Sequence, residues 1–431
     1  MKLLCVGYYD KFSRFFIGIH KELKKKLPES EIKIASLYTS GFLYSFIRFY
    51  SSINISFKVW CKVLINYKSY KKQLQKNQTD FDLDKLISYK LKENKNVNVN
   101  NLKLQALACI EVYTKIFNSF QPDVLCCVGD SRLAIKIAVL IAKKRNIPCH
   151  FIEIGPFGTT IFDAKGVNAN ASINNKSLIS RLPKSQFKDP KEVFNQIKIN
   201  DKKYKRSPIY RGIDYALGAL FNSTKIYPPD LKYQHSTFNG EKKSIKSPLK
   251  ENKFLLIGQV TDDVNMSYHS PNFDSFENLL KTVYQNLPEN SSLTFREHPH
   301  FTGKHSKDFY SFMKENHINL DNKTLLNELI ESHDVVVVNN STVGLESIAE
   351  QKSVVVLANA YYALPELCLQ LKNKDELKAV LKQTLSFKPS TENVTKYFDF
   401  LLNSYFIEGR LVDENLKSAK NIAHILIKKH D

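Results

Sequence analysis

Short apolar runs alternate along the chain with segments of helical spacing. Lys2 to Gly7 is an apolar run, Phe12, Phe16, Ile19 and Leu23 follow near helical spacing, and Ile32 to Ala35 is apolar again. This predicts strand, helix, strand. The pattern returns at Val124 to Gly129, continues as an apolar helix from Leu133 to Arg145, and after Pro148 gives a strand from Cys149 to Ile154. Repeated βαβ units specify a parallel, doubly wound sheet. From Pro228 to Asn252 the periodicity stops, and Pro228, Pro229, Lys242, Lys243, Pro248 and Lys250 predict a polar connection. Beyond it strands at Phe254 to Gly258, Ser292 to Glu297, Asp334 to Asn339 and Ser353 to Ala358 alternate with helical patterns at Phe273 to Gln285, Lys323 to Ser332 and Val343 to Glu350. Leu416, Ala419, Ile422, Ala423, Leu426 and Ile427 form one apolar stripe, a helix that needs a partner surface.

The pattern predicts an α/β protein with an N-terminal domain over 1–227, a linker over 228–252, a second domain over 253–405 and a C-terminal helix over 406–431 packing back. A length of 431 residues suits two cores better than one. Within the first domain, the stretch from Phe42 to Lys76 is rich in Phe, Tyr, Leu and Ile and interrupted by Arg48, Lys58, Lys62, Lys68, Lys71 and Lys72. Helices packed on the sheet with lysines in water give this pattern, and so do helices lying on a membrane; the first reading is the commoner source of apolar periodicity.

Sixty-three Lys and Arg against 43 Asp and Glu give a formal charge of +20, which favours polyanionic partners. The candidates are nucleic acid, nucleotide phosphates and an anionic membrane; lysine is spread along the whole chain without a recognisable nucleic-acid-reading module, so a membrane surface ranks above nucleic acid. Seven cysteines, mostly in apolar runs and without a CxxC pair, read as reduced, buried thiols. The chain opens directly on a strand-like run, and no segment approaches the ~20 apolar residues of a membrane span. A cytoplasmic protein, able to lie peripherally on the inner membrane, is expected.

In open α/β sheets ligands bind beyond the carboxyl ends of the strands, so polar residues directly after buried strands carry the most weight. Gln259 to Asp263 follows one such strand, and a carboxylate there can attack an anomeric carbon, stabilise an oxocarbenium-like transition state or act as a base. Asp262 or Asp263 can equally cap a turn or helix. Arg296, Glu297, His298, Pro299 and His300 end a second strand; alternation puts Arg296 and His298 on one face, and Pro299 stops the ladder so that His298 is held at the edge, able to donate to a phosphate. Asn340, Ser341, Thr342, Gly344 and Glu346 lie where a third strand passes into a helix, which makes either an anion site or an ordinary N-cap. Adjacent aspartates diverge and His298 and His300 lack an obvious third ligand, so no metal is expected. In the N-terminal half, Glu153, Gly155 and the polar loop through Asn168 to Ser172 suit either an acceptor-side loop or a structural one.

Taken in order, these elements resemble the bacterial capsule polysaccharide synthesis family, which includes KpsC-like and KpsS-like β-Kdo transferases. Gln259 to Asp263 is similar to its Q-x-x-x-D element, His298 with Pro299 to its H-P element, Asn340 to Glu346 to its N-S-x-x-G-x-E element, and Glu153 to Ser172 to its E-x-G followed by G-V-N and a nearby serine. The resemblance implies a GT-B architecture of two Rossmann-type domains facing a cleft, a CMP-activated donor sugar, no required cofactor, and a lipid-linked or glycan acceptor. It implies Asp263 as nucleophile of a retaining transfer, with Asp262 as second choice, and His298 with Ser341 or Thr342 on the departing phosphate. Gln259, Arg296, Pro299, Asn340, Gly344 and Glu346 would complete the donor site. Glu153 would be the acceptor-side base or binder, with Gly155, Asn168 and Ser172 beside it. After Gly155 the chain reads Pro156, Phe157, Gly158 and Thr159, where the better-known members carry an aromatic residue, Arg and Pro. Kdo is the expected sugar, another CMP-sugar of sialic-acid type the alternative, and a non-catalytic polysaccharide or membrane-binding protein the reading from another class.

Overall fold

The computed structural model describes residues 1–76, 79–93, 97–194, 202–222, 245–248, 250–261 and 263–430. They form two compact α/β units. The described residues of 1–167, 202–222 and 405–430 make the first, and those of 168–194 and 245–404 the second.

In the first unit β1 (Lys2–Gly7), β2 (Glu31–Ser36), β3 (Ser51–Asn54), β4 (Val124–Val128) and β5 (Cys149–Ile154) run parallel. β6 (Thr159–Asp163) turns back antiparallel on β5, and Ile407–Glu408 adds a further antiparallel edge. The parallel strands stand in the order β5-β4-β1-β2-β3. β1 and β4 are buried almost throughout, which is why they read as unbroken apolar runs rather than as alternation. Helix α1 (Asp10–Lys24) turns Phe12, Phe15, Phe16, Ile19 and Leu23 inward, and the helix Lys417–His430 packs on it. At their crossing Gly18 permits close packing: a Cβ there would come within 2.8 Å of Leu416 Cδ1 and 3.4 Å of Ala419 Cβ, so the Leu416 side chain would have to shift.

The second unit is a six-stranded, all-parallel sheet of β7 (Asn252–Ile257), β8 (Ser291–Arg296), β9 (Asn319–Leu320), β10 (Val335–Val338), β11 (Ser353–Val356) and β12 (Leu369–Gln370), in the order β12-β11-β10-β7-β8-β9. The chain winds outward from β7 to β9, then returns to the other side of β7 and winds outward again. The direction reverses between β7 and β10, and the crevice above that pair is where such sheets bind ligands.

The units do not follow single cuts in the sequence. Residues 168–194 belong with the C-terminal sheet, and 405–430 with the N-terminal one. Most of the predicted linker 228–252 lies outside the described residues; Ile245, near its end, already bridges Leu320 beside β9. The C-terminal helix expected from residue 406 starts at Lys417. Gly409 at φ 89° and Leu416 at φ 53° break helical geometry before it, and Arg410 folds back to donate through its backbone N–H and Nε to Asp413. Among the described residues no helix is long and apolar enough to cross a membrane.

One core feature of the second unit makes its stability depend on pH. The His305 ring stacks on Phe309 at 4.1 Å, with Phe301, Phe295 and Phe276 around it at 4.9, 5.8 and 6.0 Å. Burial pushes its pKa down to about 4, against a smaller opposing pull from Glu277. An unfolded histidine takes up its proton near pH 6.5, so this contribution is complete above that pH and is lost as the pH falls from about 6.5 to about 4. At ~1.4 kcal/mol per pH unit the loss is on the order of 3 kcal/mol. His305→Phe is expected to raise the melting temperature at pH 5 and change it little at pH 8. His20 and His333, also lowered chiefly by burial, keep part of the slope. Equal shifts at the two pH values in thermal melts would refute the assignment.

Candidate active site

Strand register alone brings the candidate residues to one level. Ile257 on β7 stands beside Arg296 on β8 and Val338 on β10. Two residues further along each strand come Gln259, His298 and Asn340. Close approach at this edge is enforced by Gly258, whose N–H donates to the Arg296 carbonyl at 2.7 Å and where a Cβ would sit 2.9 Å from that oxygen.

Gln259 and Asn340 bind each other twice. Gln259 Nε2 donates to Asn340 Oδ1 at 3.0 Å, and the Asn340 backbone N–H donates to Gln259 Oε1 at 3.1 Å. Asn340 Nδ2 donates further to the carbonyls of Asn265 at 2.8 Å and Asn359 at 3.3 Å. Both amides are buried, so this clamp joins the ends of β7 and β10 and ties two loops to them.

Above the clamp the helix Thr342–Ala349 begins. Ser341 caps it, its Oγ accepting from the Val343 N–H at 3.3 Å. The first amides of a helix lack intrahelical acceptors, and with the dipole they make this end electropositive. Gly344 lets the first turn press on its surroundings: a Cβ there would meet Tyr362 Oη at 2.6 Å and Val338 Cγ2 at 2.9 Å. Tyr362 in turn donates to the Ser341 carbonyl.

His298 is half-buried. Its Nδ1 accepts the His300 N–H at 3.1 Å, so the neutral ring carries its proton on Nε2. Burial lowers its pKa, His300 lowers it further, and Asp263 pulls the other way. The loop that carries it is anchored from below by Glu297, which is buried and accepts from Tyr310 Oη at 2.5 Å, Asn322 Nδ2 at 2.6 Å and the Gly303 N–H at 3.1 Å.

Asp263 is exposed and caps the short helix Val264–Ser267, its Oδ1 accepting from the Val264 N–H at 2.6 Å. The capping alternative is therefore realised, and the carboxylate still lines the same pocket as Gln259, His298, Asn340, Ser341, Thr342 and Asn168. All of these lie in the second unit.

Other expected site residues stand elsewhere. Arg296, predicted to share a face with His298 at the donor, instead donates to the Thr324 carbonyl and is not among the pocket residues, because the turn after Asp321 offers it a fixed acceptor. Pro299 is exposed beyond the pocket and Gly344 is buried behind it. Glu346 is half-buried beside Tyr361 and Tyr362, its pKa raised by burial. Glu153 belongs to the first unit, accepting from the Ile154 N–H, and Gly155 closes the turn into β6 by donating to the Thr159 carbonyl. Ser172 does not line the pocket, and Asp262 lies outside the described residues. Ala169 and Val260, within stretches already named, also line it, and Asn265, Asn359, Ala360, Tyr361 and Tyr362 complete the lining from outside the sequence candidates. Asn359 to Tyr362 lie just past the end of β11 at Val356, so the rule that selected the other loops reaches them. Among the described residues no group of three or more His, Cys, Asp or Glu side chains is gathered for a metal ion.

A family model described as capsule polysaccharide biosynthesis protein matches residues 123–410, two thirds of the chain. The chain belongs to that family. The match to this capsule-family protein runs through β4, the Glu153 to Ser172 loop and the whole second sheet. Protein FixF of Sinorhizobium fredii is 28% identical over 166 residues, 38% of this chain and 40% of that protein, so the chain matches less than half the length of its curated relative. Among solved structures, the β-Kdo 2,7 transferase of Thermosulfurimonas dismutans KpsC superposes with a TM-score of 0.39 at 13% identity, over 74% of this chain and 90% of that one. The UDP-GlcNAc 2-epimerase of Methanocaldococcus jannaschii in complex with UDP-GlcNAc and UDP superposes with a TM-score of 0.36 at 14% identity, over 99% and 100%.

Proposed function

We propose that this protein is a glycosyltransferase of capsule polysaccharide synthesis that transfers Kdo from CMP-Kdo to a lipid-linked or glycan acceptor with retention of configuration. The observation that carries the reading is one pocket at the switch point of the second sheet that holds a carboxylate, an imidazole and a helix N-terminus. A nucleotide sugar has matching parts: an electrophilic anomeric carbon and an anionic leaving group.

In this reading an Asp263 oxygen attacks the anomeric carbon as the bond to the CMP phosphate breaks, and the phosphate oxygen keeps the electron pair. The amides at Ser341 and Thr342 and the His298 Nε2–H receive that charge, fixed in place before it develops. The acceptor hydroxyl then displaces Asp263, loses its proton to a base, and leaves the carboxylate free again; two inversions give net retention. Glu153 is the proposed acceptor-side base or binder. No step uses a metal or a further cofactor. A neutral His298, favoured by its lowered pKa, donates without needing acid, so activity is expected to persist from neutral into mildly alkaline pH.

A panel of CMP-sugars tests the reading, with CMP release followed with and without a lipid-linked acceptor. Release from CMP-Kdo supports it, whereas release from CMP-sialic acid alone replaces the sugar. No turnover of any member, together with polysaccharide binding, would support the non-catalytic alternative.

A further inference from the structure

The first unit carries a surface that its own fold does not account for. Helix α2 (Thr39–Phe46), the loop after it, helix α3 (Ile55–Gln75) and the helix Pro208–Asn222 are joined by aromatic contacts: Tyr44 with Tyr210 at 6.0 Å, Phe57 with Phe221 at 5.8 Å and Trp60 with Phe221 at 4.7 Å. The inward face of α3 is an ordinary core face, with Val59, Val63 and Tyr70 buried where the helix packs on Val99–Phe120. Its other face is not ordinary. Phe57, Leu64 and Ile65 recur at helical spacing and are exposed, Ile65 by 78%. The helix Pro208–Asn222 likewise shows water Ile209, Gly212, Tyr215, Ala216, Ala219 and Leu220, with Arg211 as the charge among them. Between α2 and β3, Phe49 is held at φ 62° with its side chain 98% exposed. Left-handed backbone is costly for a phenylalanine, and this ring has no packing to repay it.

The charge along the chain of α2 and α3 has one sign. From Thr39 to Lys76 there are seven cations, Arg48, Lys58, Lys62, Lys68, Lys71, Lys72 and Lys76, and no Asp or Glu. Asp214, in the neighbouring helix, is buried and neutralised by Arg206 at 2.6 Å. Lys62 is paired with Glu111 of the helix Val99–Phe120, and the remaining six cations leave a surplus of positive charge. Exposed aromatic and aliphatic side chains flanked by that surplus match an anionic bilayer on both counts: apolar groups enter the acyl boundary, and ammonium groups meet the headgroup phosphates.

We propose that α2, α3 and the helix Pro208–Asn222 form a face that docks on an anionic lipid bilayer. The proposal is independent of the pocket chemistry. Its test is co-sedimentation of the full chain with vesicles of phosphatidylcholine alone or mixed with phosphatidylglycerol. Binding to the mixed vesicles only, weakening as salt is raised, is expected. Phe49→Ser with Ile65→Ser should lower the partition coefficient at least ~10-fold. Lys68→Gln with Lys71→Gln and Lys72→Gln should lower it by roughly 10-fold or more at low salt and by less at high salt. All five positions are exposed, so melting temperatures and CMP release in solution should match the wild type. Failure to bind either vesicle overturns the proposal, as does undiminished binding by the Phe49 and Ile65 pair. Self-association abolished by that pair, without vesicle binding, would assign the face to a second copy instead.

Discussion

Asp263→Asn is expected to lower sugar transfer by roughly 10^3-fold or more while leaving the melting temperature where it is. Asp263 has two jobs open to it. It accepts the Val264 N–H as cap of the helix Val264–Ser267, and its carboxylate faces the pocket beside His298. Asparagine caps as well as aspartate and keeps the acceptor oxygen, so the substitution removes the charge and little else. CMP affinity, measured by calorimetry, should stay level or tighten, because a negative charge near the phosphate has gone. Asp263→Ala removes the cap as well, and should add a stability loss of about 1 kcal/mol to the same loss of rate. A rate for Asp263→Asn within a few-fold of wild type would leave Asp263 as a cap alone and end its proposed role as nucleophile.

That double duty marks where sequence reasoning stopped. The strand ends were legible because the second sheet is parallel and buried on both faces, so Val335–Val338 and Phe254 to Ile257 stand out as unbroken apolar runs. The level shared by Gln259, His298 and Asn340 follows from strand register once those runs are paired. Side-chain direction past the strand end is another matter. Alternation puts Arg296 on the face of His298, but alternation holds only while the ladder lasts, and Arg296 donates to the Thr324 carbonyl instead. Glu297 looked like an off-face residue and is the buried anchor of the His298 loop. Its partners Tyr310 and Asn322 lie 13 and 25 residues away, a separation no local pattern can reveal. The transfer of 168–194 to the second unit, which brings Asn168 to the pocket, is likewise a tertiary fact. For Phe42 to Lys76 the packed-helix reading accounts for one face of α3, which is core, and leaves the other apolar in water, where the membrane proposal starts.

Asn340→Ala is expected to cost about 2–4 kcal/mol of stability and to weaken CMP binding at least ~10-fold. The reason is the number of groups it leaves unpaired. Asn340 satisfies the Gln259 amide, the Asn265 carbonyl and the Asn359 carbonyl, all from one side chain in a buried position. A buried polar group without a partner costs far more than a hydrogen bond gains, and alanine supplies neither partner nor volume. The binding loss follows because Asn340 adjoins Ser341, whose cap sets the direction of the amides proposed to hold the phosphate. Gln259→Ala breaks the clamp from the other strand, and should cost about 1–3 kcal/mol. The double variant separates a clamp from two independent linings. If the pair works as one unit, its cost falls short of the sum of the singles by about 1–2 kcal/mol, because the second removal orphans nothing new across the β7–β10 gap. Additive costs in urea melts, or single losses near 0.5 kcal/mol, would mean that the two amides merely line the pocket, and the floor of the proposed donor site would then need another support.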